Sequence, residues 1–204
     1  MIDLVPNGTL IKGSSPAVYL LEEGRIRPFI DGHSFYHYKF KWEQVVFVND
    51  DVLLHYPTGN FISRDAPFRI NSPGTLLVNG SSTKGVFLLR DDVLYPFATQ
   101  AVFENLKFGF DEVVCIPEAI IHFLPKGYMI KERVLEDYGV MNNRLYRAPS
   151  GDLYYAEDSK LRLVGGTELQ FFHWKPERAV TLTQTVWNHT AKGTPIRLKA
   201  NVRP

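Results

Sequence analysis

Residues 18–59 return at 86–127 with a constant shift of 68 and no gap, and no other property of the chain limits its fold as much. Val18, Leu20, Leu21, Pro28, Phe29, Phe35, Lys39, Phe40, Val45, Val46, Pro57 and Gly59 meet the same residue types at the shifted positions. Upstream, Gly8-Thr9-Leu10-Ile11-Lys12 is repeated by Gly74-Thr75-Leu76-Leu77-Val78, with a slip of one or two residues absorbed at the Gly-Ser-Ser turns that follow. Residues 157–193 form a third, degenerate copy of 91–127 at a shift of 66, in which Tyr95 meets Leu161, Phe97 meets Leu163, Phe108 meets Trp174 and Gly127 meets Gly193. Repeated units bury a core they share with their neighbours. The chain therefore divides as 1–73, 74–138 and 139–204, and the last unit is expected to diverge because one of its faces meets solvent or another partner.

Each copy reads as the same string of elements. A short β-prone run at Thr9-Leu10-Ile11-Lys12 is stopped by turn formers, and Val18-Tyr19-Leu20-Leu21 with Arg25-Ile26-Arg27 forms a hairpin. Pro28 and Pro96 remove a ladder donor, so the second hairpin strand belongs at a sheet edge. Asp31 and Thr99 are good N-caps for a helix of about two turns. The stretches 42–48 and 110–116 read as strands, Asn49 caps a second short helix, and the proline and glycine of Tyr56-Pro57-Thr58-Gly59 end it. Residues 64–73, with two prolines, read as loop. The expected fold is β-rich α+β: three tandem repeats, each a β-hairpin plus short helix, strand and short helix, packed side by side, with a propeller-like ring as the alternative.

Composition narrows the function classes. With 23 basic and 22 acidic residues, the chain has no excess charge to neutralise phosphates, which argues against nucleic acid as a partner. No apolar run approaches the ~20 residues that span a bilayer, so membrane insertion is not expected. The first residues, Met1-Ile2-Asp3-Leu4-Val5-Pro6, lack the basic and apolar segments of a signal peptide. The single Cys115 excludes an intramolecular disulfide and a cysteine zinc cluster; flanked by Val113, Val114 and Ile116, it reads as a small buried hydrophobe.

Motifs for chemistry are sparse. His33 and His37 have helical i, i+4 spacing, but no glutamate follows His33 and the second copy carries Ala101 and Asn105. Gly13-Ser14-Ser15 lacks the nucleophile-elbow pattern, and the acid pairs Glu22-Glu23, Asp50-Asp51 and Asp91-Asp92 fall at turns and a helix start. No catalytic residue, metal site or cofactor is assigned. Aromatic and basic residues are the candidates for binding: Tyr36, His37, Tyr38 and Trp42 with Arg25 and Arg27 in the first unit, and His173 and Trp174 in the third. The competing reading is that these rings fill the small cores of short units.

The segments Gly8-Thr9-Leu10-Ile11-Lys12-Gly13-Ser14, Val18-Tyr19-Leu20-Leu21-Glu22, Arg27-Pro28-Phe29, Trp42-Glu43-Gln44-Val45-Val46 and Tyr56-Pro57-Thr58-Gly59 resemble the roughly 50-residue tandem repeats of unassigned function found in bacterial secreted and envelope proteins. The resemblance implies a noncatalytic attachment or scaffolding role at the cell envelope or outside the cell, with protein partners, self-association or an envelope glycan. A virion or tail-like particle protein is the alternative within the binding class. A hydrolase with a site between units is the alternative outside it.

Overall fold

The computed structural model describes residues 5–65 and 67–198. The leading residues 1–4, on which the signal-peptide reading rests, lie outside that range, as do residue 66 and 199–204. The first sheet is built from β1 (Leu10–Lys12), β2 (Tyr19–Glu22), β3 (Arg25–Pro28) and β4 (Val45–Phe47). The second uses β5 (Thr75–Gly80), β6 (Phe87–Arg90), β7 (Val93–Pro96) and β8 (Val113–Ile116), and the third β9 (Arg144–Arg147), β10 (Leu153–Glu157), β11 (Lys160–Leu163) and β12 (Val180–Thr181). All three have one topology: strand orders β3-β2-β1-β4, β7-β6-β5-β8 and β11-β10-β9-β12, with no barrel or propeller closure. The first strand of each pairs antiparallel with the second and parallel with the fourth. The prolines of β3 and β7 do lie in edge strands, where the missing N–H breaks no ladder bond.

The first helix of each repeat, α1 (Gly32–His37), α4 (Gln100–Asn105) and α7 (Gly166–Phe171), follows the hairpin. Asp31 and Thr99 cap the first two as expected, accepting from Ser34 N–H and Val102 N–H. The second helices are α2 (Asp50–Leu54), α5 (Glu118–Phe123) and α8 (Gln184–His189). Three local expectations need correction. Trp42–Gln44 and Phe110–Glu112 are 3-10 turns rather than strand, because only the β-branched residues after them reach the ladder. The loop at 64–73 contains a one-turn helix, α3 (Phe68–Asn71), started by Pro67; α6 (Val134–Tyr138) occupies the second connector. Third, hairpin turns at Glu23-Gly24, Asp91-Asp92 and Asp158-Ser159 carry positive φ, which fixes the shift between the second and third hairpins at 67. Leu161 therefore corresponds to Leu94 and Ile26, not to Tyr95; these three are 0%, 0% and 5% exposed.

The chain forms two compact units, interleaved in sequence: residues 1–29, 42–60 and 135–204, and residues 30–41 and 61–134. In the first, the core joins the first sheet to the third. Ile11, Leu21 and Val46 pack with Leu145, Tyr155, Phe172 and Ala179. The ladder register makes Leu10 and Leu20 the counterparts of Leu145 and Tyr155, so opposite faces of two equivalent sheets meet, a head-to-tail arrangement. An N-terminal segment reinforces that join: Asn7 N–H donates to Glu157 Oε1 at 2.6 Å and Tyr155 Oη donates to Asn7 O at 2.5 Å. In the second unit, Phe35 and Tyr38 of the first repeat are buried beside the second sheet's repeat, and Tyr38 Oη donates to Ser63 O at 2.8 Å.

Adjacent residues of the central strands are buried in every repeat: Leu10 and Ile11, Leu77 and Val78, Leu145 and Tyr146. Each sheet is thus covered on both faces. For the last unit, expected to turn one face to solvent or to another partner, solvent is not what the sheet meets: Tyr146, Ala156 and Leu161 are all 0% exposed. Cys115 is a further correction. It is exposed, because β8 is an edge strand and its burial alternates Val114 in, Cys115 out, Ile116 in.

Candidate functional site

Several ionisable residues sit at repeat-equivalent positions and make the same structural bonds. Asp50, at the start of α2, reaches back to the Gly13-Ser14 turn, accepting from Ser14 N–H at 2.8 Å and Ser14 Oγ at 2.5 Å. Glu118, at the start of α5, accepts from Ser82 N–H at 3.0 Å, Thr83 N–H at 3.3 Å and Thr83 Oγ1. These bonds stabilise the charged carboxylates, so the Asp50 pKa is lowered and that of Glu118 falls from an ordinary 4.5 to about 2. Gly13 and Gly80 leave space for them, because a Cβ at either would run into the carboxylate. Lys126 and Lys192 donate to the last carbonyls of α5 and α8, satisfying helix ends, and lie 5.2 Å from the Phe87 centroid and 3.8 Å from that of Trp187.

The hairpins show a substitution between two kinds of contact. Glu22 pairs with Arg27 at 2.6 Å, and the equivalent Glu157 pairs with Arg162. In the second repeat the positions hold Arg90 and Tyr95, and the guanidinium lies over the phenol ring at 5.5 Å. An ion pair has become a cation–π contact at the same place.

The sequence-predicted binding residues fall in both units. Tyr36, His37 and Tyr38 belong to the unit containing the second sheet, whereas Trp42, Arg25, Arg27, His173 and Trp174 belong to the other. Tyr36 is 62% exposed, while Tyr38 is buried and bonded to Ser63. His37 is half-buried, and its pKa is lowered chiefly by burial, then by Arg64 and Lys39. Arg25 and Arg27 are brought together on β3, flanking Gly59; Arg25 is exposed, and Arg27 is held by Glu22 and donates through Nε to Asn60 O at 3.0 Å. His173 is exposed in the left-handed turn after α7 at φ 53°, where Lys39 and Lys107 stand in the other repeats. Trp174 packs on the core of its unit, stacked on Tyr155 at 4.2 Å and 7° and on Phe172 at 4.8 Å.

The residue that sequence reasoning missed is Phe47. It ends β4 exposed, and its ring meets that of Trp42 edge-on at 6.3 Å and 75°. Lys12 Nζ lies 5.6 Å from the Phe47 centroid. The equivalent positions hold Cys115 and Thr181, so the second and third repeats fold without an aromatic there. That contrast between copies is the signal that marks it. Among the described residues no group of His, Cys, Asp and Glu is arranged to hold a metal ion, and no helix is long and apolar enough to cross a membrane.

The molecule is a β-rich α+β protein of three similar four-stranded mixed sheets with short helices. The chain matches no protein-family model and no curated protein sequence. Among solved structures it is similar to chains of the periplasmic assembly of the ESX-5 inner membrane complex (11% identity, TM-score 0.26), an intact ESX-5 inner membrane complex (12%, 0.25) and the EccB3 dimer from the ESX-3 core complex (13%, 0.24). Each alignment covers 96% of this chain but only 63%, 53% and 65% of the other. At such scores neither fold nor role transfers from those complexes.

Proposed function

We propose that this protein is a noncatalytic attachment or scaffolding module of a cell-surface or particle assembly, holding protein or glycan on exposed aromatic surface. The carrying observation is a division of labour within the repeat. Asp50, Glu118, Glu157, Lys126 and Lys192 make recurrent structural bonds, whereas the exposed Phe47, set edge-on against Trp42, has no aromatic counterpart in either other copy. Exposed aromatic rings supply contact energy at low entropic cost. The resemblance of the repeats to modules of bacterial envelope proteins supports the cell surface as the place of action.

Light scattering behind size exclusion across a concentration series, with sedimentation against purified cell-wall polysaccharide, tests the reading. It expects a mass above one chain or co-sedimentation. A strict monomer that binds no wall polysaccharide and no purified envelope or particle protein overturns it, as does turnover in a hydrolase screen that His37→Ala abolishes.

A further inference from the structure

We infer that Trp42 and Phe47 form a stacking site for a pyranose ring of a glycan chain, a reading that rests on the attachment role and gives it a place and a ligand class. The two rings are 46% and 47% exposed. With aromatic side chains offering ~150–250 Å² each, the pair presents roughly 200 Å² of apolar surface. That is about a quarter of the ~800 Å² per partner that a stable protein interface buries. Set at 75° to each other, the rings form two walls of a corner, each matching the face of one sugar ring, whose axial C–H groups form a flat apolar patch.

The polar surroundings fit the same ligand. Lys12 Nζ, beside Phe47, donates to Gly13 O at 3.1 Å and to Ser15 O, which leaves one of its three N–H donors for a sugar hydroxyl. Glu43, exposed on the turn that carries Trp42, adds an acceptor. Trp42 is set by that 3-10 turn and Phe47 by the β1–β4 ladder at Lys12↔Phe47, so all three side chains are placed by regular backbone rather than by a loose loop.

The test titrates the full chain with chitotetraose bearing N-acetyl groups and, separately, with cellotetraose, following the tryptophan indole N–H resonances. A saturable shift of the Trp42 signal is expected with at least one probe, with Trp174 and Trp187 unmoved. Phe47→Thr, which installs the residue type the third repeat carries at this position, should weaken binding tenfold or more. No saturable Trp42 shift with either saccharide, or an affinity unchanged in a folded Phe47→Thr chain, overturns the site; a pair that serves a protein contact gives that result. If Phe47→Thr fails to fold, the wild-type indole shifts decide alone. Wall-polysaccharide binding by wild type without any response at Trp42 removes this site and leaves the attachment reading standing. Absence of all envelope binding and self-association removes both.

Discussion

Gly59, Gly127 and Gly193 mark one position where the chain after the second helix runs against the edge strand. A Cβ at Gly59 would lie 3.0 Å from Arg27 Cγ, and one at Gly193 3.0 Å from Arg162 Cγ, tight approaches that a shift of the neighbour by a few tenths of an ångström relieves. At Gly127 it would enter the Tyr95 ring, which is itself packed at 4.8 Å on Tyr128. Gly127→Ala should therefore destabilise by about 1–3 kcal/mol and Gly59→Ala by less, read from urea midpoints. Lys107 occupies the left-handed region at φ 60°; Lys107→Gly exchanges a cost of ~1–2 kcal/mol for a glycine entropy of ~0.5–1 and should raise stability slightly. Glu118 gives a pH test. Its folded pKa is depressed, so its contribution is complete above 4.5 and disappears as pH falls to about 2. The gap in melting temperature between wild type and Glu118→Gln should shrink across that window and be flat above it. Gly59 was visible in the sequence as a helix stop and Asp50, the counterpart of Glu118, as a helix-start acid. Their partners were not, because Arg27, Tyr95 and the Gly-Ser turns are brought to them by pairing across tens of residues.

The hairpin element shows how one position tolerates different chemistry. Asn7 Oδ1 accepts from Gly24 N–H at 3.0 Å, and its counterpart Asn142 Oδ1 accepts from Ser159 N–H at 2.8 Å, each fixing a turn. In the second repeat that place is glycine, and Arg69 from α3 grips Asp92 of the turn at 2.5 Å instead. The Glu157–Arg162 pair, with side chains 9% and 11% exposed, also carries the Asn7 N–H. Arg162→Ala should cost about 3 kcal/mol by stranding the carboxylate, and more than Arg69→Ala, whose partners are half-exposed; chemical denaturation separates the two. Hairpins, edge prolines and the Asp31 and Thr99 caps were legible because each is decided within a few residues, whereas Asn49 stands at the N-cap of α2 without a side-chain cap bond. The 3-10 turns at Trp42 and Phe110 were not legible, since an apolar run with β-branched residues reads as strand until the ladder determines where pairing starts.

At the scale of the molecule, the first and third repeats complete each other's core within one unit. Removing the third should expose Ile11, Leu21 and Val46, each worth ~1.5–3 kcal/mol of burial. A chain ending at Tyr138 is expected to be insoluble or to self-associate in light scattering, and a cooperative monomer would contradict the shared core.

The repeat, the order of elements in each copy, the Asp31 and Thr99 caps and the edge position of β3 and β7 are legible in the chain alone, because they follow from short-range sterics and hydrogen bonding. That opposite faces of the first and third sheets meet, and that no sheet keeps a bare face, emerges in the folded molecule. Strands buried on both sides carry apolar residues at successive positions, so their pattern has no alternation that says which face is covered by what. Exposure at the strand ends was settled the same way: Phe47 and Cys115 follow apolar runs but stand on open edges, where nothing in the local sequence distinguishes a ring or thiol that is buried from one that is displayed.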